Sequence, residues 1–286
     1  MAELRELLGA AQGVWAAHAF AGEASVWNPL GLTPRAWAVG VAVVVCGVTL
    51  LDPLALGVAR LLRVAKLPSR EPVPIMKGLE TLSGKDLLFL AVNQLVQTWG
   101  MMHFAQFAFA QAGVVRAAEG ASLGNTVGAA YAIFLLDDFF YYWCHRLMHL
   151  PSLYPWVHKH HHRQALPSRG YWDAANEHPL EQVAGISCVI LALRLVLHFW
   201  PLGVHVFGVT AFVVLYALCA TLNHVEYDVR LPLLLGYSVR AHEMHHRIPQ
   251  CNYAQNTMLW DGLFGTFIGY KSGQPEPADK ASKKRS

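Results

Sequence analysis

The sequence predicts an all-α integral membrane protein with about four to five transmembrane or re-entrant helices, capped on one side by a histidine-rich helical layer. Three observations carry this expectation. Of 286 residues, 54% are hydrophobic and only 14% are charged, whereas an ordinary soluble domain carries about 25% charged residues. Five apolar runs are long enough to be considered as spans of a hydrocarbon core of roughly 30 Å: Ala36–Val58, Leu87–Val115, Val127–Cys144, Val183–Trp200 and Leu202–Leu222. Finally, eight histidines fall into three tight groups near span ends: His145 and His149, then His158, His161 and His162, then His242, His245 and His246. The formal net charge of +3 is too small to argue for a nucleic-acid partner.

Taken in order, the chain opens on Arg5 set between Glu3 and Glu6, and no strongly apolar run precedes Ala36, so no cleavable signal peptide is expected. Asp52-Pro53 interrupts the first run and predicts a kink or a shortened helix. The next connection carries Arg60, Arg63, Lys66, Arg70, Lys77 and Lys85, which places it in the cytosol by the positive-inside tendency. The second run then leaves the cytosol and the third returns, bringing the first two histidine groups to the cytosolic side. Trp200-Pro201-Leu202-Gly203 is turn chemistry that joins the last two runs as a hairpin, so His224 and the third group return to that side as well. Gln274–Ser286 reads as a disordered basic tail; its Lys283-Lys284-Arg285-Ser286 end fits either a dilysine retrieval signal or a generic basic tail near anionic lipid. Five scattered cysteines without a C-x-x-C read as buried thiols.

The chemistry is concentrated in the histidines. Imidazoles three or four residues apart share one helix face and can bind one ion, while the adjacent extra histidine of the second and third groups points elsewhere and suits a second ion. The expected arrangement is therefore a two-metal site in a cytosolic cap. Asp138 lies two helical turns before His145 in an otherwise apolar run, and it is expected to fix that histidine's tautomer. His160 is not needed by the H-x-x-H-H pattern, and Glu243 either binds metal or faces water. His178 and His224 sit near the ends of the final hairpin, in N-E-H-P-L-E and N-H-V-E-Y-D. His18, His103, His198 and His205 stand singly in apolar or N-terminal settings and read as structural.

At these residues a family resemblance emerges. H-R-L-M-H, H-K-H-H-H and H-E-M-H-H resemble the three histidine boxes of the fatty acid hydroxylase/sterol desaturase superfamily of membrane di-iron oxidases. Tyr142 to Arg146 resembles the entry to its first box, Glu177 to Glu181 its H-P-L-E segment, His224 to Asp228 its H-x-x-Y-D element, and Asn252-Tyr253 with Trp260 to Thr266 its closing segments. The H-P-L-E and H-x-x-Y-D elements look most like the sterol C4-methyl oxidase branch. Asn176-Glu177 stands where that branch usually has a Tyr-Ala or similar pair.

The resemblance implies two iron ions held by His145, His149, His158, His161, His162, His242, His245 and His246, with His224 as a ninth ligand and His178 as a candidate tenth. It implies O2 as co-substrate and electrons from NAD(P)H delivered by a cytochrome b5-type carrier and its reductase, since no dinucleotide fingerprint is present. The expected activity is hydroxylation of a sterol or fatty acyl lipid drawn from the bilayer. Desaturation and aldehyde decarbonylation on the same scaffold are the alternatives, and metal transport is a remote one. The expected setting is a multi-pass protein of the endoplasmic reticulum membrane with its active site facing the cytosol. Residues 1–84 form an N-terminal region with one transmembrane helix and the basic connection, 85–270 the catalytic domain and 271–286 the tail.

Overall fold

Each of the five apolar runs is helical, because long stretches of Leu, Val, Ala and Phe in an apolar medium must satisfy their backbone groups internally. The computed structural model of the chain describes residues 31–62, 64, 81–110, 113–164 and 167–269. Most of the basic connection between the first two runs, and the whole tail from 271 onward with its Lys-Lys pair, lie outside the described residues.

The first run forms α1 (Pro34–Thr49) and α2 (Leu51–Leu61), which meet at Leu50, so that the Asp52-Pro53 pair falls in the first turn of α2. Thr33 caps α1 and Pro34 opens it. Asp52 is buried, and its carboxylate accepts the Tyr171 backbone N–H at 2.7 Å, tying α2 to a later loop. The second run is α3 (Gly84–Ala110) and the third α4 (Ala129–Met148), entered through a single π-turn at Gly124–Gly128. Two short helices follow, α5 (Tyr154–Val157) and α6 (Tyr171–Ala174). The final hairpin is α7 (Pro179–Phe199) and α8 (Val206–Leu222); after it come α9 (Val239–Arg247), which carries the third histidine group, and α10 (Leu259–Leu263).

Among the described residues, two helical stretches qualify by length and apolarity as candidate membrane spans, Pro34–Leu61 and Pro179–Phe199, and Val206–Leu222 is a shorter apolar helix. The sequence expectation of four to five spans is thus met at the coarser level of a mostly helical chain with two candidate spans. Helices α3 and α4 are diluted by polar residues such as Asn93, Gln94, Asp137 and Asp138, all buried or half-buried. Large apolar side chains, including Val43, Leu50, Leu95, Leu191, Phe199 and Val214, cover the outer surface instead, as an apolar surrounding requires.

The core is built on α4, packed between α7 and α8, with α3 against α7 and α2 against α8. Ile133, Phe134, Ala192, Leu193, Phe212 and Leu222 fill it. At one end, the α3–α4 and α7–α8 connections pair as a short parallel ladder, β1 (Val114–Val115) with β2 (Val204–His205). There His205 is satisfied: its Nε2 reaches Ala117 O at 3.0 Å and its Nδ1 accepts the Phe207 N–H. Gly208 lets α8 press onto the π-turn, since a Cβ there would stand 2.6 Å from Thr126 O. The three histidine groups lie beyond the opposite ends of α4 and α8.

Candidate metal centre

Helix α4 ends by presenting His145 and His149 one turn apart. The chain then turns through α5, placing His158, His161 and His162 against them, and α9 brings His242, His245 and His246 from the other side. Among the described residues, nine imidazoles converge in two sets. His145, His149, His158, His162 and His245 form the first, and His161, His224, His242 and His246 the second; within each set the ligand atoms lie within 4.8 Å of one another. The spacing logic holds with one refinement. The i, i+4 pairs His158/His162 and His242/His246 each serve one set, while His161 and His245, turned by about 100° on their helices, serve the other.

The nitrogen geometry is diagnostic. In the first set, Nε2 atoms stand 2.9 Å (His145–His158), 3.3 Å (His145–His149), 3.2 Å (His149–His245), 2.9 Å (His158–His162) and 3.1 Å (His162–His245) apart. In the second, His224–His242 and His242–His246 are 3.3 and 3.1 Å apart. Several of these rings have their tautomer fixed from outside. The Nδ1–H of His145 donates to Tyr253 O at 2.6 Å, that of His245 to Cys251 O at 2.7 Å and that of His224 to Ala220 O at 2.8 Å. A carbonyl can only accept, so the remaining Nε2 of each neutral ring carries a lone pair. Metal–imidazole bonds of about 2.1 Å at right angles would separate neighbouring nitrogens by about 3.0 Å. The donor set therefore fits two metal ions, and imidazole suits iron among others.

Electrostatics point the same way. Burial, followed by neighbouring imidazoles, holds His158, His162, His242, His245 and His246 well below the ordinary histidine range, and burial lowers His161 to about 4. The rings are neutral near pH 7, as ligands must be.

Two sequence expectations are corrected. Asp138 does not orient His145, whose Nδ1 is taken by Tyr253 O. Its carboxylate instead accepts the backbone N–H groups of Gln255, Asn256 and Thr257 at 3.0, 2.8 and 2.9 Å, and the Thr257 hydroxyl at 2.6 Å. It acts on the site at one remove, by clamping the loop whose carbonyls hold His145 and His245. His178 joins neither set; it caps α7, its Nδ1 accepting the Leu180 N–H at 3.2 Å. A helix start needs a side-chain acceptor, and that duty turns the ring away. His160 bonds Asn176 and Asp86, and Glu243 pairs with Arg247.

Sequence reasoning missed several contributors. Glu181 Oε1 lies 2.6 Å from His158 Nδ1 and is the carboxylate that orients a site histidine. The signal was present in the H-P-L-E segment, one turn into α7, but a role needed the fold. Asp261 and Asn252 brace the same loop as Asp138: Asp261 accepts the Tyr253 and Ala254 N–H groups, and Asn252 donates to Ala241 O and Ile268 O. A cavity of about 160 Å³ opens on the second set, bordered by His161, His224 and His242 and walled by apolar residues of α3, α7 and α8.

This constellation can be compared with known proteins. Residues 130–266 match the fatty acid hydroxylase family. The matched segment holds all nine converging histidines. The chain is 31% identical over 151 residues to methylsterol monooxygenase erg25A of Aspergillus fumigatus, covering 51% of this chain and 49% of that protein. It is 30% identical over 155 residues to methylsterol monooxygenase 1 of Rattus norvegicus, covering 52% and 48% respectively. It is 32% identical over 150 residues to very-long-chain aldehyde decarbonylase GL1-11 of Oryza sativa subsp. indica, covering 49% and 53%. The chain thus spans about half the length of the curated relatives it matches. No solved structure gives a significant match.

Proposed function

We propose that the chain is a membrane-embedded di-iron oxidoreductase that uses O2 and external electrons to hydroxylate a lipid, a sterol of the C4-methyl oxidase kind or a fatty acyl lipid. One observation carries the reading: among the described residues nine imidazoles form two adjacent ion-sized sets, and a largely apolar cavity borders one of them. Bound iron would supply O2 activation and C–H oxidation.

The chain's own residues do the rest. His145, His149, His158, His162 and His245 would hold one ion, and His161, His224, His242 and His246 the other. Glu181 and the Tyr253, Cys251 and Ala220 carbonyls fix ring orientation, as outer partners of metal ligands do. His161, His224 and His242 of the four-histidine set line the cavity, so the residues that would hold that ion adjoin the proposed substrate space. Apolar walls from α3, α7 and α8 would seat the lipid and exclude water.

The names of the methylsterol monooxygenase relatives favour a sterol, and the aldehyde decarbonylase keeps that chemistry, with desaturation, as the alternative. A cytochrome b5-type carrier and its reductase are the proposed electron source. The proposed location is the endoplasmic reticulum membrane, multi-pass, with the histidine cap toward the cytosol. The division into an N-terminal region (1–84), a catalytic domain (85–270) and a tail (271–286) belongs to the same proposal. Lipidomics on cells with and without the protein, read for a missing oxygenated lipid, tests the activity, and metal analysis should find two irons per chain. An unchanged lipid profile together with an iron-free purified protein would overturn the reading.

A further inference from the structure

The cavity contains a polar residue that serves neither histidine set. Glu177 sits just before α7 and lines the cavity together with Glu181, Tyr141 and Tyr216. Its backbone is firmly held. Asn93 on α3 donates to Ala175 O and Glu177 O, both at 2.9 Å; Asn176 donates to Asp86 at 3.1 Å; and His178 caps the following helix. Glu181 lies 2.6 Å from His158, so of the two cavity carboxyl groups Glu177 is the one outside the histidine sets.

Around it Met101, Ile186, Val189 and Phe212 form apolar walls, with Tyr141 and Tyr216 among them. A carboxyl facing a largely apolar cavity is costly to leave without a polar partner. The same cavity is bordered by His161, His224 and His242, so the polar group of the ligand would sit at the metal end, not at a distant mouth.

We propose that Glu177 is a specificity-determining residue that hydrogen-bonds the hydroxyl of a lipid alcohol at the metal end of the cavity, selecting alcohols over the corresponding hydrocarbons. The proposal deepens the lipid-oxidase reading and rests on it. A site built to hydrogen-bond a hydroxyl rejects the analogue that lacks it, because the buried polar groups are then left unpaired.

Binding of two probe pairs to the full iron-loaded chain in lipid nanodiscs tests this: 5α-cholestan-3β-ol against 5α-cholestane, and octadecan-1-ol against octadecane. The wild type should bind at least one alcohol about tenfold or more tightly than its hydrocarbon. Glu177→Leu should bring that ratio to within about twofold while leaving hydrocarbon affinity intact, and Glu177→Gln, which can still hydrogen-bond, should keep most of the preference. No preference in the wild type, or an unchanged preference in Glu177→Leu, overturns the proposal. Iron content is measured on every sample. Should Glu177→Leu lose iron through misfolding, the wild-type ratio and the Gln variant still decide. Two irons without alcohol selection would defeat this inference alone, whereas alcohol selection without iron would defeat the oxidase reading alone.

Discussion

Asp138→Asn should dismantle the metal centre without touching a single histidine. The Asp138 carboxylate accepts four hydrogen bonds, three of them from consecutive backbone N–H groups of residues 255–257. An asparagine can offer its oxygen to Gln255 and Asn256, but its amide then faces the Thr257 N–H across 2.9 Å, donor against donor. The Thr257 hydroxyl can rotate and accept. One charge-assisted bond is lost, about 1.5–3 kcal/mol, and two others weaken from charged to neutral acceptors by about 1 kcal/mol each. The total is about 4 kcal/mol, concentrated on a loop whose Cys251 and Tyr253 carbonyls orient His245 and His145. Loss of such outer support costs about 10–100-fold in metal affinity. The neighbouring Asp137→Asn is the control, because neither Asp137 oxygen has a hydrogen-bond partner among the described residues; neutralising an unpaired buried carboxyl should be harmless or stabilising. Iron titration against a competing chelator, with thermal unfolding in detergent, measures both variants. If Asp138→Asn binds iron within threefold of wild type, or if Asp137→Asn fails equally, the clamp argument is wrong.

Other outcomes follow from the same geometry. His245→Ala should empty the five-histidine set and His246→Ala the four-histidine set, each leaving about one metal ion by elemental analysis; retention of both ions would contradict the partition. Both variants should remain membrane-inserted yet lose turnover. Burial lowers the pKa of the site imidazoles, His149 and His161 to about 4, so the unfolded chain binds protons more readily than the folded one. The metal-free protein should therefore hold this stability above about pH 6.5 and lose it as pH falls toward about 4, which acid unfolding monitored by circular dichroism can follow. Gly208→Ala would push a Cβ against backbone at Thr126 and Asn125, and since backbone cannot turn aside as a side chain can, the variant should be destabilised by about 1–3 kcal/mol in a denaturant series.

Much of this could be read before the fold was known. The apolar runs named the five long helical stretches because a chain short of charge has only apolar surface to bury or to offer to lipid. Histidine spacing named the converging rings because i, i+4 positions share a helix face whatever the tertiary context. Spacing could not assign His161 and His162, or His245 and His246, to their separate sets, since that depends on how α9 and the α5 turn face each other. Nor could it find the partners of His145, His245 and His224: these are backbone carbonyls, which every residue possesses and no sequence marks. Asp138 was singled out for the right reason, a carboxylate in an apolar helix, yet its partner lies more than a hundred residues away.

Local chemistry, then, was determined by the sequence alone: which segments are apolar helices, which side chains can bind metal, and which family's pattern residues 130–266 carry. Tertiary structure alone decided the grouping of nine imidazoles into five and four, the opening of the cavity on the smaller set, and the presence of Glu177 in that cavity. The reason is physical. Periodicity fixes directions about one helix axis, whereas a metal site and a cavity are set by distances between several axes, and those distances exist only after the helices have packed.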